Sequence, residues 1–174
     1  MSRDYLGDLV AEGFDVGVRF GEPVDSAIIA RKLLDIRILT VASPEYIKRM
    51  GLPKEPRELN NHHAIHFIDP VTSRPFQWEY HHKNEVFAIQ PSGRLIVTDV
   101  GTMLSACLGG AGVAQVMDLG VHDLIESGDL VELFPQWPDE RYPLFAYHPS
   151  RHLPPAKVRV FLDFVLSAAH AAIT

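Results

Sequence analysis

The sequence predicts an α/β protein, in which short buried strands alternate with amphipathic helices. The strongest observation is in residues 94–117, where an apolar run, a helical pattern and a second apolar run follow one another. Residues 14–20 alternate apolar and polar side chains, which is typical of a β-strand. Ser43 and Pro44 add a helix start, because a hydroxyl cap followed by proline suits the first turn of a helix.

Composition limits the class of protein. The chain has 174 residues, of which 47% are hydrophobic and 22% are charged, so it suits one domain or two small lobes. The net charge of -6 argues against a nucleic-acid-binding surface, which needs clustered lysine and arginine. A single cysteine excludes an internal disulfide and fits a reducing compartment. The N-terminal stretch lacks the apolar core of a signal peptide and no apolar run has membrane-spanning length, so we expect a cytoplasmic protein.

The N-terminal part predicts one short helix and three extended segments. They are the helix that ends at Gly13 and the segments 14–20, 26–34 and 37–42, the last two separated around Asp35. Phe20 and Gly21 lie at the carboxyl end of the first strand, where a turn begins. Arg19 places a charge at the same end, where it faces either a binding cleft or a structural ion pair.

The helix that begins at Ser43 ends at Gly51, and its apolar face is predicted to be Tyr46, Ile47 and Met50. Loop and turn follow in residues 52–59. Three strands are then predicted, in residues 64–68, 76–80 and 85–89. The last two are joined through residues 81–84, and we expect a hairpin exposed at one side of the lobe.

The central segment is predicted to be a βαβ unit. Residues 95–97 and 113–117 are its strands, and the helix between them ends at Gly109 and Gly110. One face of this helix carries Val100, Met103, Leu104, Cys107 and Leu108. Short links between the elements predict parallel strands and a right-handed crossover.

Such sheets bind ligands outside the carboxyl ends of their strands. Here that edge carries Thr98, Asp99 and the free N–H groups of Val100, Gly101 and Thr102. These N–H groups and the helix dipole suit an anion or a carboxylate. The alternative is that Thr98 or Asp99 only caps the helix.

The C-terminal part continues the alternation of helices and strands. A helix is predicted in residues 121–125, strands in 130–134 and 144–147, and a last helix with apolar residues Val158, Phe161, Leu162, Val165 and Leu166. Residues 135–143 are rich in turn-forming side chains and predict a connection between lobes.

Histidines are the most prominent chemical signal, but their spacing does not predict a metal site. They are His62, His63, His66, His81 and His82. Zinc needs three or four ligands at defined spacing, and His62 and His66 would share a face only on a helix, whereas a strand is predicted there. No HExxH or CxxC is present, so we expect solvated loop histidines and no metal.

Signals for catalysis or a nucleotide cofactor are also missing. There is no GxSxG, and Cys107 falls on the apolar helix stripe, so it is predicted to be a core residue. The glycine-rich residues 109–112 follow a helix and precede a strand, which is the reverse of the dinucleotide-binding fingerprint. We therefore expect neither an enzyme, nor a catalytic residue, nor a cofactor.

An ordered set of segments resembles the effector-binding domain of LysR-type transcriptional regulators. They are residues 8–47, residues 59–65 with His62 and Ile65, residues 93–117 and residues 128–138. The resemblance runs from about residue 4 to residue 170. It implies a two-lobed α/β fold like that of type 2 periplasmic binding proteins, with a small-molecule site between the lobes.

The resemblance also implies a division of the chain. The first lobe would consist of residues 1–42 and 143–174, and the second of residues 43–142. Family members carry an N-terminal winged helix-turn-helix, a linker helix and an initial strand, helix and strand of the effector domain, none of which is recognised here. We therefore expect an incomplete first lobe, and DNA contact and oligomer formation only in the full-length protein.

Carried over residue by residue, the resemblance implies a set of effector contacts. They are Phe20, Gly21, Ser43, Phe67, Thr98, Asp99, Val100, Gly101 and Met117. Phe67 and Met117 suit either the binding site or the core. Residues 115–117 replace a more aliphatic stretch that is common in the family, which either alters ligand choice or fills space.

The sequence therefore predicts the effector-sensing domain of a bacterial LysR-type regulator. A small anionic or aromatic metabolite would shift lobe closure and so control transcription, with no membrane involved. One alternative is a solute-binding protein of a transporter, against which the missing signal peptide argues. The other is a metal-dependent enzyme that uses the histidines.

Overall fold

The computed structural model describes residues 13–21, 28–69, 72–83, 85–138, 140–149 and 155–171. The chain divides into two compact units, unit 1 from residues 1–36 and 142–174 and unit 2 from residues 37–141. The lobes expected from the sequence divide at residues 42 and 142 instead. The first boundary differs because one continuous strand, Ile28–Ala42, replaces the two segments predicted around Asp35 and supplies residues to both units. The predicted N-terminal helix lies outside the described residues.

The described elements mix strands and helices along the whole chain, which confirms the α/β class. In chain order they are β1 (Gly17–Phe20), β2 (Ile28–Ala42), α1 (Pro44–Met50), a 3-10 helix (Pro56–Asn61), β3 (Ala64–Phe67), β4 (Trp78–His82), β5 (Glu85–Ile89), β6 (Leu95–Val97), α2 (Val100–Leu108), β7 (Val113–Met117), α3 (His122–Glu126), β8 (Val131–Leu133), β9 (Arg141–Pro149) and α4 (Ala156–Ala171). Among the residues described, no helix combines the length and the apolar character needed to cross a membrane.

In unit 1, β1 pairs with β9 in antiparallel fashion, with Gly17 opposite Tyr147 and Phe20 opposite Leu144. Strand β9 in turn neighbours β2. Helix α4 contributes Val158 and Leu162 to the core of this unit, which also contains Leu33 and Ala146. The helical spacing predicted for this segment is therefore confirmed at its two buried positions.

The sheet of unit 2 has the order β8-β2-β7-β3-β6. Strand β3 pairs in parallel with both β6 and β7, while β2 pairs in antiparallel fashion with β7 and β8. The strands of the predicted βαβ unit are thus parallel, as expected, but β3 lies between them. Strand order depends on long-range pairing, which the local pattern does not specify.

Each face of this sheet is covered by its own core. On one side, α2 places Met103 and Cys107 in a cluster with Leu39, Val41 and Ile65. On the other side, a second cluster contains Ala42, Tyr46, Leu59, Ala64, Trp78, Tyr80 and Phe134. The predicted hairpin of β4 and β5 is confirmed by antiparallel pairing, and its strand β5 is largely exposed. Alternate β4 side chains point into the core, because a strand sends successive residues to opposite sides.

Three further local expectations are wrong. Val100 and Leu108, at the two ends of α2, are exposed, so the buried stripe of this helix is narrower than its apolar pattern. Met50, in the last turn of α1, is exposed as well. The loop predicted in residues 52–59 contains the start of the 3-10 helix, which buries Pro56 and Leu59.

Candidate functional site

Three parallel strands of unit 2 end at one edge of the sheet. Strand β3 ends at Phe67, β6 at Val97 and β7 at Met117, and Phe67 lies directly opposite Val97. Strand β2 runs in the other direction, so its Ile38 lies opposite Met117 at this same edge. We call this the carboxyl edge. The structure brings together there Phe67, residues 98–101 and Met117 of the contacts expected from the sequence.

The N-terminus of α2 is capped at this edge by Asp99. Its backbone is extended, with φ -137° and ψ 148°, and its Oδ1 accepts a hydrogen bond from the Thr102 N–H at 2.8 Å. Hydrogen bonds from the Thr102 side chain and backbone, and then from the Gly101 N–H, hold the pKa of the Asp99 carboxyl below its usual range. The capping role predicted from the sequence is therefore confirmed. These N–H groups are directed at a carboxylate of the chain itself, and residues 98–101 are all exposed.

An aromatic pair lies at the carboxyl edge. The rings of Phe67 and Phe76 are stacked, with centroids 6.4 Å apart and an interplanar angle of 25°. The Phe76 N–H donates to the Phe67 carbonyl at 3.0 Å, which holds the two residues side by side. Phe67 is half-buried, whereas Phe76 is 40% exposed. Sequence reasoning missed Phe76 as a site residue; its only signal is an aromatic side chain directly after the loop that ends at Pro75.

Other apolar side chains at this edge also face water. Val100, the first residue of α2, is 54% exposed, and Leu119, two residues after the end of β7, is 60% exposed. Met117 itself is half-buried. Exposed apolar groups gathered beside a polar helix entrance are typical of a surface that another molecule or segment covers.

Ser43 does not join this group. Because β2 runs antiparallel to β7, its carboxyl end lies at the opposite edge of the sheet. The Ser43 side chain is buried, and its Oγ accepts a hydrogen bond from the Tyr46 N–H at 3.4 Å. Its predicted role as a helix cap is confirmed, whereas its expected position beside the other effector contacts differs from that in the structure.

Phe20 and Gly21 belong to unit 1. The Phe20 ring stacks on Tyr142 with centroids 5.8 Å apart. The Gly21 N–H donates to the Pro143 carbonyl at 3.0 Å, and the Gly21 carbonyl accepts a hydrogen bond from the Tyr147 hydroxyl. Phe20 thus ends β1 and Gly21 follows it, where the sequence placed the end of a strand, and both residues are fixed by contacts to the neighbouring β9.

The histidines are mostly structural, and the expectation that they are solvated loop residues is wrong for several. His62 is buried, its Nδ1 lies 3.2 Å from the Tyr46 hydroxyl, and burial lowers its pKa. His66 is buried on β3 with its Nε2 3.0 Å from the Pro91 carbonyl. His81 lies within β4, 3.1 Å from a Glu79 oxygen. In the described ranges, no three side chains of histidine, cysteine, aspartate or glutamate are grouped to hold a metal ion.

Cys107 is a core residue, as the helix pattern predicts. Its side chain is fully buried, and its Sγ lies 3.6 Å from the carbonyl oxygens of Val41 and Gly112. Burial raises the pKa of the thiol to about 11, so it stays protonated at neutral pH. A protonated and enclosed thiol is poorly suited to nucleophilic chemistry.

Comparison with known families gives a match over nearly the whole chain. The model of the LysR substrate binding domain matches residues 1–170. The HTH-type transcriptional repressor PA14_22550 of Pseudomonas aeruginosa is 31% identical over 166 residues, which are 95% of this chain and 52% of that protein. The uncharacterized HTH-type transcriptional regulator YcaN of Escherichia coli is 32% identical over 163 residues, 93% of this chain and 53% of that protein. The chain therefore spans about half the length of these curated relatives.

Solved structures give the same result. The regulatory domain of CrgA, a LysR-type transcriptional regulator from Neisseria meningitidis, superposes with a TM-score of 0.82 at 29% identity, over 97% of this chain and 81% of that chain. The regulatory domain of AphB from Vibrio vulnificus superposes with a TM-score of 0.76 at 25% identity, over 97% of this chain and 82% of that chain. The periplasmic-binding-protein-like fold expected from the sequence is that of these regulatory domains.

Proposed function

Because this chain belongs to the LysR substrate-binding domain family, we propose that it is the effector-sensing part of a LysR-type transcriptional regulator. A small metabolite binds it and shifts its conformational equilibrium, which changes transcription. The single observation that carries the proposal is the family match over residues 1–170. The relatives are named as HTH-type regulators. We propose that the whole regulator contacts DNA through such a helix-turn-helix and acts in the cytoplasm as a homo-oligomer.

We place the effector contacts of unit 2 at the carboxyl edge. Open α/β sheets bind ligands outside the carboxyl ends of their strands, and Phe67, Thr98, Asp99 and Met117 are found there. Val100, Gly101 and the newly recognised Phe76 complete this set. Ser43 is left out, since its hydroxyl caps α1 at the other edge. Phe20 and Gly21, in unit 1, stay predicted contacts.

The surroundings of the edge favour one of the two ligand classes that the sequence suggests. The Asp99 carboxylate already accepts the Thr102 N–H, so a ligand carboxylate placed here would meet a like charge. The stacked pair of Phe67 and Phe76 and the exposed Val100 offer apolar contact instead. We therefore propose an aromatic effector that presents a hydrogen-bond donor, such as an amine or an amide, to Asp99.

Replacing Phe76 with alanine is expected to weaken the binding of benzylamine, a simple aromatic amine, by about fivefold. An aromatic pair contributes about 1 kcal/mol beyond its buried area, and this free energy corresponds to that change in Kd. The affinity is measured by titration followed by NMR. The control is Phe164→Ala, which removes a 69% exposed phenylalanine of α4 in unit 1. Equal affinities in the Phe76→Ala variant and the unaltered protein would remove Phe76 from the site.

The two alternatives considered from the sequence receive no support from this comparison. The relatives are named as transcriptional regulators, not as transport proteins or metalloenzymes. We propose a domain without catalytic activity, whose only chemistry is reversible binding. Purified protein that hydrolyses no test ester and retains no metal after dialysis agrees with this proposal.

A further inference from the structure

The chain passes between its two units at two places. One passage lies in β2 between Ile36 and Arg37, and the other lies in β9 between Arg141 and Tyr142. On the unit 2 side, these passages are joined by a hydrogen bond of 3.3 Å from the Ile38 N–H to the Glu140 carbonyl. We call residues 37–38 and 140–141 the crossing segments. Glu140 therefore supplies the backbone carbonyl that pairs these segments.

A small cavity lies beside the crossing segments, entirely within unit 2. Its volume is about 10 Å³, which is close to the minimum for one water molecule. Its walls include Ile38, Thr40, Tyr80, Glu132, Trp137 and Glu140. The cavity is far too small to hold a metabolite.

Apart from Glu140, the polar side chains at and near this cavity are paired with one another. The Thr40 and Tyr80 hydroxyls are 2.9 Å apart, and the Arg37 guanidinium lies 2.9 Å from a Glu132 oxygen. The His81 ring lies 3.1 Å from a Glu79 oxygen. Arg141, the residue after Glu140, is exposed. Among the described residues, no hydrogen bond or ion pair holds the Glu140 carboxylate.

Glu140 thus combines partial burial with acidic surroundings. Burial first, and then the charge of Glu79, raise the pKa of the Glu140 carboxyl to about 7. Tyr80 adds no charge near neutrality, because burial raises the pKa of its hydroxyl above the usual range. The charge that acts on Glu140 is that of Glu79 on β4. Glu132 of β8 lines the same cavity but is paired with Arg37 of β2, and the His81 ring of β4 lies beside Glu79.

We propose that the Glu140 carboxyl group is a proton-operated switch of the crossing segments. When protonated, the neutral acid stays at the cavity, and the Ile38–Glu140 pairing is kept. When ionised, the carboxylate is repelled by Glu79 and turns toward water, which loosens that pairing. The switch responds to protons alone, so it acts whether or not an effector is bound at the carboxyl edge.

The direction of the pH effect follows from the two states of Glu140. The folded protein holds the proton more tightly than the unfolded chain, in which a glutamate has its ordinary pKa of 4.5. The stabilisation from this group is therefore complete below pH 4.5, and it is lost as the pH rises through about 7. Glutamine at position 140 is neutral at every pH and should keep the stabilisation.

The test compares urea unfolding of the unaltered chain and the Glu140→Gln variant at pH 5 and pH 8. The unfolding equilibrium constant of the unaltered chain, divided by that of the Glu140→Gln variant, is expected to rise by about tenfold or more from pH 5 to pH 8. The unaltered chain therefore becomes less stable relative to the variant. Glu79→Gln should move the midpoint of the effect to lower pH, because it removes the repelling charge. Glu126→Gln, at an exposed acid of α3, is the matched control and should leave the midpoint unchanged.

A second measurement needs no variant. The carboxyl carbon of Glu140 is followed by NMR while the pH is changed, and its midpoint is expected at about 7. Exchange of the Ile38 amide, corrected for intrinsic base catalysis, should accelerate through the same range. A carboxyl midpoint near the ordinary value, or identical pH dependence in the unaltered chain and Glu140→Gln, would overturn the proposal.

Discussion

Replacing Gly93 with alanine is expected to destabilise unit 2 by about 3 kcal/mol, at the upper end for an overpacked site. A Cβ at position 93 would lie 2.1 Å from the Ala64 carbonyl oxygen and 3.0 Å from the His66 ring. The obstructing atom belongs to the backbone at the start of β3, so it cannot move aside as a flexible side chain would. The strand β6 would have to separate from β3, and Thr98 and Asp99 would move with it.

The free energy of unfolding is measured by urea denaturation followed by far-UV circular dichroism. Ser92→Ala is the matched control, because it adds no atom, lies one residue away and has an exposed side chain. The control should stay within about 0.5 kcal/mol of the unaltered chain. Equal stability of the two variants would show that β6 does not approach β3 as closely as the structure has it.

Replacing Trp78 with alanine is expected to cost about 3–5 kcal/mol, the usual range for a buried tryptophan. Trp78 is 3% exposed, and its ring meets the His66 ring edge-on with centroids 5.9 Å apart. Through this contact the hairpin β4–β5 covers one face of the sheet. Without the indole, a large cavity would open beneath the hairpin, because the surrounding residues move only partly into the space.

The control for this variant lies on the same hairpin. Val86 of β5 is 62% exposed, so Val86→Ala should change the free energy of unfolding by about 0.5 kcal/mol or less. Circular dichroism is the appropriate signal, because Trp78→Ala also changes the fluorescence. If both variants unfolded at the same urea concentration, the hairpin would not be part of the core of unit 2.

The elements that could be predicted from the sequence are those whose signal is local. Short links join four such elements, which are strand β6, the Asp99 cap, helix α2 and strand β7. The spacing of apolar residues and the capping residues are therefore enough to locate them. The Ser43 cap of α1 is equally local. In each case the residues that define the element are within a few positions of one another.

The features that could not be predicted depend on pairing between distant residues. Strand β2 continues through a charged stretch because Arg37 pairs with Glu132, 95 positions away in the sequence. Ser43 lies away from the carboxyl edge only because β2 is antiparallel to β7. His62 is buried because the Tyr46 hydroxyl meets its ring. The local pattern carries no information about any of these partners.

For the candidate site, the start of α2 could be predicted from the sequence. Whether its backbone N–H groups are free or already hydrogen-bonded could not. It located Thr98 and Asp99 at a strand end, and it suggested that free N–H groups there suit an anion. The structure shows the Asp99 carboxylate accepting the Thr102 N–H, so the entrance is already satisfied. Phe76 was missed because its stacking on Phe67 requires the chain to fold back between the two residues.

The most direct test of the proposed effector site is a map of backbone amide shifts during titration with three probes that share one ring: benzylamine, benzamide and benzoate. We expect benzylamine and benzamide to shift the backbone amides of Phe67, Phe76, Thr98 and Met117 together. We expect a weaker response to benzoate, because its negative charge is repelled by that of Asp99. Two results would contradict the proposed effector site. One is that all three probes shift only residues outside the carboxyl edge, and the other is that Thr98 responds most strongly to benzoate.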